Sequence, residues 1–196
     1  MAFEVEQVIM WIRRAQALGG KIRNSDQLVD AFCVTLEKIC IESWPGACHD
    51  TSAAIYVIFS ELGFSPTLCI GEVISEKTHF DHSWVELDGL IYDAAVCFPA
   101  AGIEFVSAPI FSSIDLTTLE KTSLTFGWRR SGLNEPARLI STQTLDEYSV
   151  YVHKKKGKSV ADLWGTITYI SSAAGINLNQ DEIRKKYGSV RRFLRN

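Results

Sequence analysis

The chain has 196 residues, of which 46% are hydrophobic, enough for one domain with a substantial core. It contains no apolar run near the roughly 20 residues of a membrane span, and its N-terminus lacks the layout of a signal peptide. The net charge is −3, but residues 1–150 hold 10 Lys/Arg against 20 Asp/Glu, whereas residues 151–196 hold 10 against 3. We therefore expect a cytoplasmic, globular protein without membrane partners. A solvated helix face is the commoner cause of such a basic segment, so an acidic or nucleic-acid partner is not favoured.

The cysteines are odd in number, widely spaced and without a CxxC pair, unlike a disulfide framework or a zinc ribbon. We expect them to be reduced thiols. They are Cys33, Cys40, Cys48, Cys69 and Cys97.

Two helices are predicted within residues 1–42. Apolar residues recur at helical spacing from Phe3 to Leu18, where a Gly-Gly pair ends the pattern. A second helix is expected from Asn24, which can cap its free amides while Gln27 completes a box-like arrangement. The predicted buried stripe of this helix is Leu28, Ala31, Phe32, Thr35, Leu36 and Ile39.

A third helix is expected after the segment Trp44-Pro45-Gly46 and before Gly63. Counting back from Leu62 by sevens gives Ile55 and then Cys48. If the helix reaches that far, Cys48 lies on its buried stripe.

The next segment predicts a strand "TLCIGEVI", a polar loop "SEKTHFD", and a hairpin of "HSWVEL" and "LIYDAA" joined by Asp88-Gly89. Asp-Gly favours a type I′ turn, because both central positions need positive φ. A two-residue turn pairs Leu87 with Leu90, Trp84 with Asp93, and His82 with Ala95.

This register places His82 and Asp93 on one face, as diagonal neighbours about 7–8 Å apart at the backbone. One hydrogen bond between imidazole and carboxylate can close that gap. The other face carries side chains suited to burial: Val85, Leu87, Leu90 and Tyr92.

For the rest of the chain, strands are expected at Ile103–Val106 and Tyr148–His153, with a loop-rich interval over 112–139 between them. Helices are expected at Val160–Ala174 and Gln180–Tyr187.

Cys48, His82 and Asp93 form a candidate nucleophile, base and orienting carboxylate. A thiol at a helix N-terminus feels the positive end of the helix dipole, and a neighbouring imidazolium favours its thiolate form. His49 and Asp50 follow Cys48 directly, but neighbouring residues of a helix point in different directions, so they do not form the trio. Asp50 is favoured as a helix-start residue, whereas His49 either flanks a substrate cleft or is exposed without a role.

Other residues have competing interpretations. Arg129 and Arg130 could bind a substrate carboxylate, although an exposed loop pair is the commoner outcome. Trp84 and Trp128 are expected in the core, with Trp84 kept as a substrate-contact candidate. His79, His82 and Cys48 could be metal ligands, but their spacing is loose, so no metal site is favoured.

The residues Cys48 in "WPGACHD", His82 in "HSWVEL" and Asp93 in "LIYDAA" resemble the transglutaminase-like branch of the papain-like cysteine enzymes. The resemblance covers Trp44 to about Ala95, roughly a quarter of the chain. The sequence is also similar to the arylamine acetyltransferases, but it lacks their arginine-glycine-glycine segment before the cysteine.

The resemblance implies an α+β fold of papain-like, transglutaminase-like topology, with the nucleophile helix packed on an antiparallel sheet. It suggests one domain over 1–196: N-terminal helices (1–42), a catalytic core (43–155) and basic C-terminal helices (156–196). It implies acyl transfer on amide bonds through a thioester, on a peptide, protein or small amide, with no cofactor or metal.

The oxyanion donors implied are an amide at Cys48 plus one side chain, Trp44 or, further upstream, Gln27. Two alternatives stay open. One is a non-catalytic binding module of the same fold, and the other an acetyltransferase-like acyl transferase.

Overall fold

The computed structural model describes residues 3–20, 26–98, 105–128, 130–156 and 162–195. Its described part combines seven helices with a curled, mainly antiparallel sheet, so the expected α+β class is confirmed. The helices are α1 (Val5–Gly19), α2 (Asp26–Ile41), α3 (Cys48–Glu61), α4 (Glu135–Thr142), α5 (Leu145–Lys156), α6 (Leu163–Ala173) and α7 (Gln180–Tyr187). The strands are β1 (Thr67–Ile74), β2 (His79–Leu87), β3 (Leu90–Tyr92), β4 (Ile110–Phe111), β5 (Ile114–Asp115), β6 (Thr125–Phe126) and β7 (Phe193–Leu194).

The main sheet has the strand order β3-β2-β1-β6, with each neighbouring pair antiparallel. Strand β7, near the C-terminus, adds to β1 in parallel, and β4 and β5 form a separate two-stranded ribbon. Helix α3 packs against β2 on one side and against α6 and α2 on others. Its start is thereby held close to the strand that carries His82.

The Asp88-Gly89 hairpin forms with the predicted register near its turn. Leu87 pairs with Leu90, and φ is positive at both turn residues, 52° at Asp88 and 76° at Gly89. Leu90 is 39% exposed, so its predicted burial is wrong, because it lies beside the turn at the end of the strand.

Beyond Tyr92 the predicted pairing is wrong. Asp93 leaves β2 and exchanges two backbone hydrogen bonds with Ile110, at 2.8 and 2.9 Å, so the expected pairs of Trp84 with Asp93 and of His82 with Ala95 do not form. Strand β2 also starts earlier than expected, at His79, because its pairing with β1 extends to Ile74.

The first three helices agree with the sequence expectations. Every residue of the predicted α2 stripe is buried, and α3 begins at Cys48, which is 8% exposed. Most of α3 is buried on all sides, including its first-turn residues Asp50, Thr51 and Ser52. Asn24, the predicted cap of α2, lies outside the described residues.

The strand predicted over 148–153 is a helix instead. Leu145, Tyr148 and Val152 are buried at helical spacing inside α5. The apolar run is too short for its spacing to distinguish a helix from a strand. Helix α4 lies in the interval expected to be a loop, and its start carries an Asn134 cap that accepts from the amide of Ala137.

Further expectations near the C-terminus had mixed outcomes. Helix α7 has the predicted bounds, and α6 begins at Leu163 rather than at Val160, which lies outside the described residues. Of the strand expected at Ile103–Val106, residues 103 and 104 are likewise outside, and residues 105 and 106 are not in a strand. Trp128 is 56% exposed, so its expected place in the core is wrong.

The basic C-terminal segment is not simply a solvated helix face. Its last part forms β7, Arg192 is only 4% exposed, and Arg195 forms an ion pair with Glu86 on β2. None of the helices in the described ranges is long and apolar enough to cross a membrane.

Candidate active site

Cys48 is the first residue of α3, and the local sequence leaves the amides of this helix start without a side-chain cap. The cap position is Ala47, whose side chain accepts no hydrogen bond. Gly46 precedes it with φ of 69°, and its amide donates to the carbonyl of Phe98 at 3.4 Å. The positive end of the helix dipole favours negative charge at this point.

His82 and Asp93 are in direct contact despite the change in strand pairing. His82 Nε2 lies 2.6 Å from Asp93 Oδ2, and both residues are almost fully buried. The other carboxylate oxygen, Oδ1, accepts from the amides of Ala95 and Val96 at 3.0 and 3.1 Å. Since these amides fix the carboxylate, Asp93 holds the imidazole in one orientation.

The charge state of His82 links it to Cys48. Burial works against the charged imidazolium, but Asp93, with Cys48 as a second contributor, raises the pKa of His82 to about 10. Both residues act by charge and by hydrogen bonding. Because Nε2 is engaged by Asp93, Nδ1 is the ring nitrogen left for the Cys48 thiol.

The structure therefore brings together a thiol, an imidazole and a carboxylate in that order. In such an arrangement the thiol can act as a nucleophile and the imidazole can take up and return its proton. The order is the one expected from the sequence, although Asp93 reaches it through the pairing with Ile110 rather than through the β2 ladder.

His49 and Asp50 point elsewhere, as their helical spacing predicts. His49 Nδ1 lies 2.7 Å from the hydroxyl of Ser83, on the face of β2 opposite to His82. Asp50 accepts a hydrogen bond from the Tyr148 hydroxyl at 3.1 Å. Burial beside Asp50 raises the pKa of Tyr148 well above its ordinary value, so Tyr148 is a neutral donor there.

Arg192 is a residue of this site that sequence reasoning missed. Its Nη2 donates to the carbonyl of His49 at 3.0 Å, and its guanidinium stacks over the Tyr148 ring at 4.3 Å. Burial lowers its pKa, while Tyr148, Asp50 and Cys48 act in the opposite direction. The basic composition of the C-terminal segment was the only signal, and it gave no means of choosing Arg192 among its neighbours.

Of the residues suggested for substrate contact, Trp84 is fully buried and donates to Glu86 Oε1 at 3.0 Å, so it supports the sheet instead. Arg130 has an exposed side chain, and Arg129 lies outside the described residues.

The two side chains suggested as oxyanion donors differ in position. Gln27 is exposed in the first turn of α2, at the end of that helix remote from the connection to α3, and no described contact joins it to Cys48. The structure thus gives Gln27 no support. Trp44 is half-buried against the core beside Lys38, and its role as a donor stays a prediction.

The loop that contains Arg130 is organised by a second buried carboxylate, Glu72 on β1. Glu72 accepts from the amides of Arg130, Ser131 and Gly132 and from the Ser131 hydroxyl, at 2.8 to 3.1 Å. His79 Nε2 lies 3.2 Å from the same hydroxyl. His79 is therefore directed to this loop, away from the supposed ligand set of His82 and Cys48.

The described part of the chain contains no group of three or more His, Cys, Asp or Glu that could hold a metal ion. Comparisons with family models, with curated proteins and with solved structures returned no match to this chain.

Proposed function

We propose that the protein is a cysteine-nucleophile acyl-transfer enzyme that acts on amide bonds through a thioester. The observation that carries the proposal is the buried contact of His82 with Asp93, in which Cys48 contributes to a His82 pKa of about 10. A histidine that only supports the core has no need of a fixed carboxylate on one nitrogen and a thiol at a helix start on the other.

In the first half-reaction, the Cys48 thiolate attacks the amide carbonyl carbon, and a C–S bond forms. The His82 imidazolium gives its proton to the leaving nitrogen as the C–N bond breaks, which leaves a thioester and a free amine. In the second half-reaction, neutral His82 takes a proton from water or an acceptor amine. That nucleophile attacks the thioester, the C–S bond breaks, and the thiolate and imidazolium are restored.

The negative oxygen of each tetrahedral intermediate needs hydrogen-bond donors. The backbone amide of Cys48 is suited to this role, because it opens α3 and the side chain of Ala47 makes no cap hydrogen bond there. Trp44 is retained as the side-chain donor to test.

The position of the trio also supports the papain-like, transglutaminase-like interpretation of the fold. The nucleophile opens a buried helix, this helix packs on the sheet, and the base lies on a strand of that sheet. We propose this topology as the finer assignment within the α+β class.

The proposal is tested by the reactivity of the five thiols toward iodoacetamide at pH 6, mapped by peptide mass spectrometry. Cys40 is the competitor, because it is more exposed than Cys48 and a hydrogen bond with Cys97 lowers its pKa. We nevertheless expect Cys48 to react at least about tenfold faster than Cys40, since an imidazolium favours the thiolate. His82→Ala should remove this preference.

A generic acyl donor, p-nitrophenyl acetate, should in addition form a hydroxylamine-sensitive adduct on Cys48 that is missing in Cys48→Ala. Labelling dominated by Cys40, or uniform labelling, would contradict the proposal and favour a non-catalytic binding module. The Cys40→Ser variant is the matched control, and its Cys48 rate should equal that of the unmodified chain.

A further inference from the structure

Arg192 is a buried cation whose hydrogen bonding is incomplete. It is 4% exposed, and its Nε and Nη1 have no hydrogen-bond partner among the described residues. Only Nη2 is engaged, by the carbonyl of His49. A guanidinium keeps its charge even when it is buried, so the positive charge stays in the site.

Such an arrangement costs stability, because a buried charge is normally paired and hydrogen-bonded. The contrast with Arg195, three residues later, is direct. Arg195 is less buried and binds the Glu86 carboxylate through two nitrogens. The incomplete hydrogen bonding of Arg192 is therefore a local feature that needs an explanation beyond stability.

The surroundings of Arg192 indicate which anion it serves. Its hydrogen bond is to the residue that follows Cys48, so the guanidinium lies against the first turn of α3. The groups whose negative form favours its charge are Tyr148, Asp50 and Cys48. Tyr148 stays neutral and donates to the buried Asp50 carboxylate, which is thus one partner of the Arg192 charge. Cys48 is the partner that gains and loses its negative charge during the proposed reaction.

We propose that Arg192 is a positioning residue that supplies a fixed positive charge to the anionic form of Cys48 and holds the first turn of α3 through the carbonyl of His49. This inference rests on the proposed function, because it assigns the second cation of the same site. His82 loses its positive charge when it gives its proton to the leaving group. Arg192 keeps its positive charge throughout.

The test is the pH dependence of Cys48 alkylation by iodoacetamide in the full chain. Arg192→Met and Arg192→Gln both remove the charge, and Gln keeps an amide donor for the His49 carbonyl. We expect both to move the midpoint of the pH–rate profile upward by roughly one pH unit or more, since a nearby charge in a buried site acts at this strength. Arg192→Lys keeps the charge, so its midpoint should lie close to that of the unmodified chain.

Arg191→Met is the matched control. Arg191 is the exposed neighbour of Arg192, and its substitution removes the same charge from the segment. Its midpoint should equal that of the unmodified chain. We also expect Arg192→Met to melt at a lower temperature, because it removes a cation that acts on the buried Asp50 carboxylate, so the profile is measured where each variant is folded.

An unchanged midpoint in Arg192→Met and Arg192→Gln would overturn the inference, and so would an equal shift in Arg191→Met. These outcomes leave the proposed function intact as long as Cys48 remains the fastest thiol. If Cys48 is not the fastest thiol in the unmodified chain, the proposed function itself fails.

Discussion

Glu72, on β1, and Asp93, directly after β3, are two buried carboxylates that differ in the groups they bind. Glu72 accepts hydrogen bonds from three backbone amides and one hydroxyl, all from residues 130–132. Asp93 gives one oxygen to two backbone amides and the other to the imidazole of His82. Burial is almost the same for the two residues.

The consequence of this difference is electrostatic. Burial alone would raise the pKa of Glu72, but its hydrogen bonds to Gly132, Ser131 and Arg130 outweigh burial and lower it to about 2. Glu72 is thus a permanent anion that ties a loop to β1. Asp93 instead acts on a group that titrates, since it raises the pKa of His82. A titratable partner, more than burial, distinguishes a candidate catalytic carboxylate from a structural one.

The largest expected effect comes from Asp93→Asn. Asparagine keeps an oxygen for the amides of Ala95 and Val96 but loses the negative charge beside His82. We expect alkylation of Cys48 at pH 6 to slow by roughly 100-fold, because the imidazolium that favours the thiolate is lost. Glu72→Gln in the same assay is the matched control, with a change of less than about threefold. Equal slowing in both variants would break the distinction between the two carboxylates.

The next effect in size is on stability, and it belongs to Glu72. We expect Glu72→Gln to lower the free energy of unfolding at pH 7 by about 2 kcal/mol, because charge-assisted hydrogen bonds are weakened in a buried place. The pKa of Glu72 is lower in the folded chain than its ordinary value of 4.5. Its contribution is therefore complete above pH 4.5 and is lost as the pH falls through about 2.

Chemical denaturation from pH 7 down to pH 2 measures this dependence. The difference in stability between Glu72→Gln and the unmodified chain should shrink as the medium becomes more acidic. A difference that grows toward low pH would mean that the carboxylate is not stabilised as an anion. Asp93→Asn is measured in the same way. The comparison shows how much of the stability lost in Glu72→Gln is specific to the hydrogen bonds with residues 130–132.

The sequence was sufficient where local chemistry decides the structure. The Asp88-Gly89 turn set the register of the hairpin, and the helical stripe placed Cys48 at the buried start of α3. It was not sufficient where distant segments compete for the same backbone groups. Asp93 pairs with Ile110 instead of β2, and no local signal favours one partner over the other.

Arg192 illustrates the same limit within the candidate site. Its hydrogen bond to His49 joins residues 143 positions apart in the chain. The basic composition of the C-terminal segment predicts exposed charge, whereas the bridge of Arg191 with Thr144 and the pairing of β7 with β1 fix this part of the chain within the fold. The apolar run in α5 is too short to distinguish helical from strand spacing, which is why a strand was expected there.

The smallest expected effect tests whether the second histidine of the region behaves like the first. Ser83 follows His82 directly but lies on the other face of β2, where its hydroxyl meets His49 Nδ1 at 2.7 Å. We expect Ser83→Ala to lower stability by about 1 kcal/mol, the usual worth of one neutral hydrogen bond. The Cys48 alkylation rate should change little, because the hydroxyl of Ser83 binds His49 and lies on the face of β2 opposite to His82. If Ser83→Ala slowed Cys48 strongly while Asp93→Asn did not, the base would be His49, and the pairing of His82 with Asp93 would be structural, like that of Glu72 with its loop.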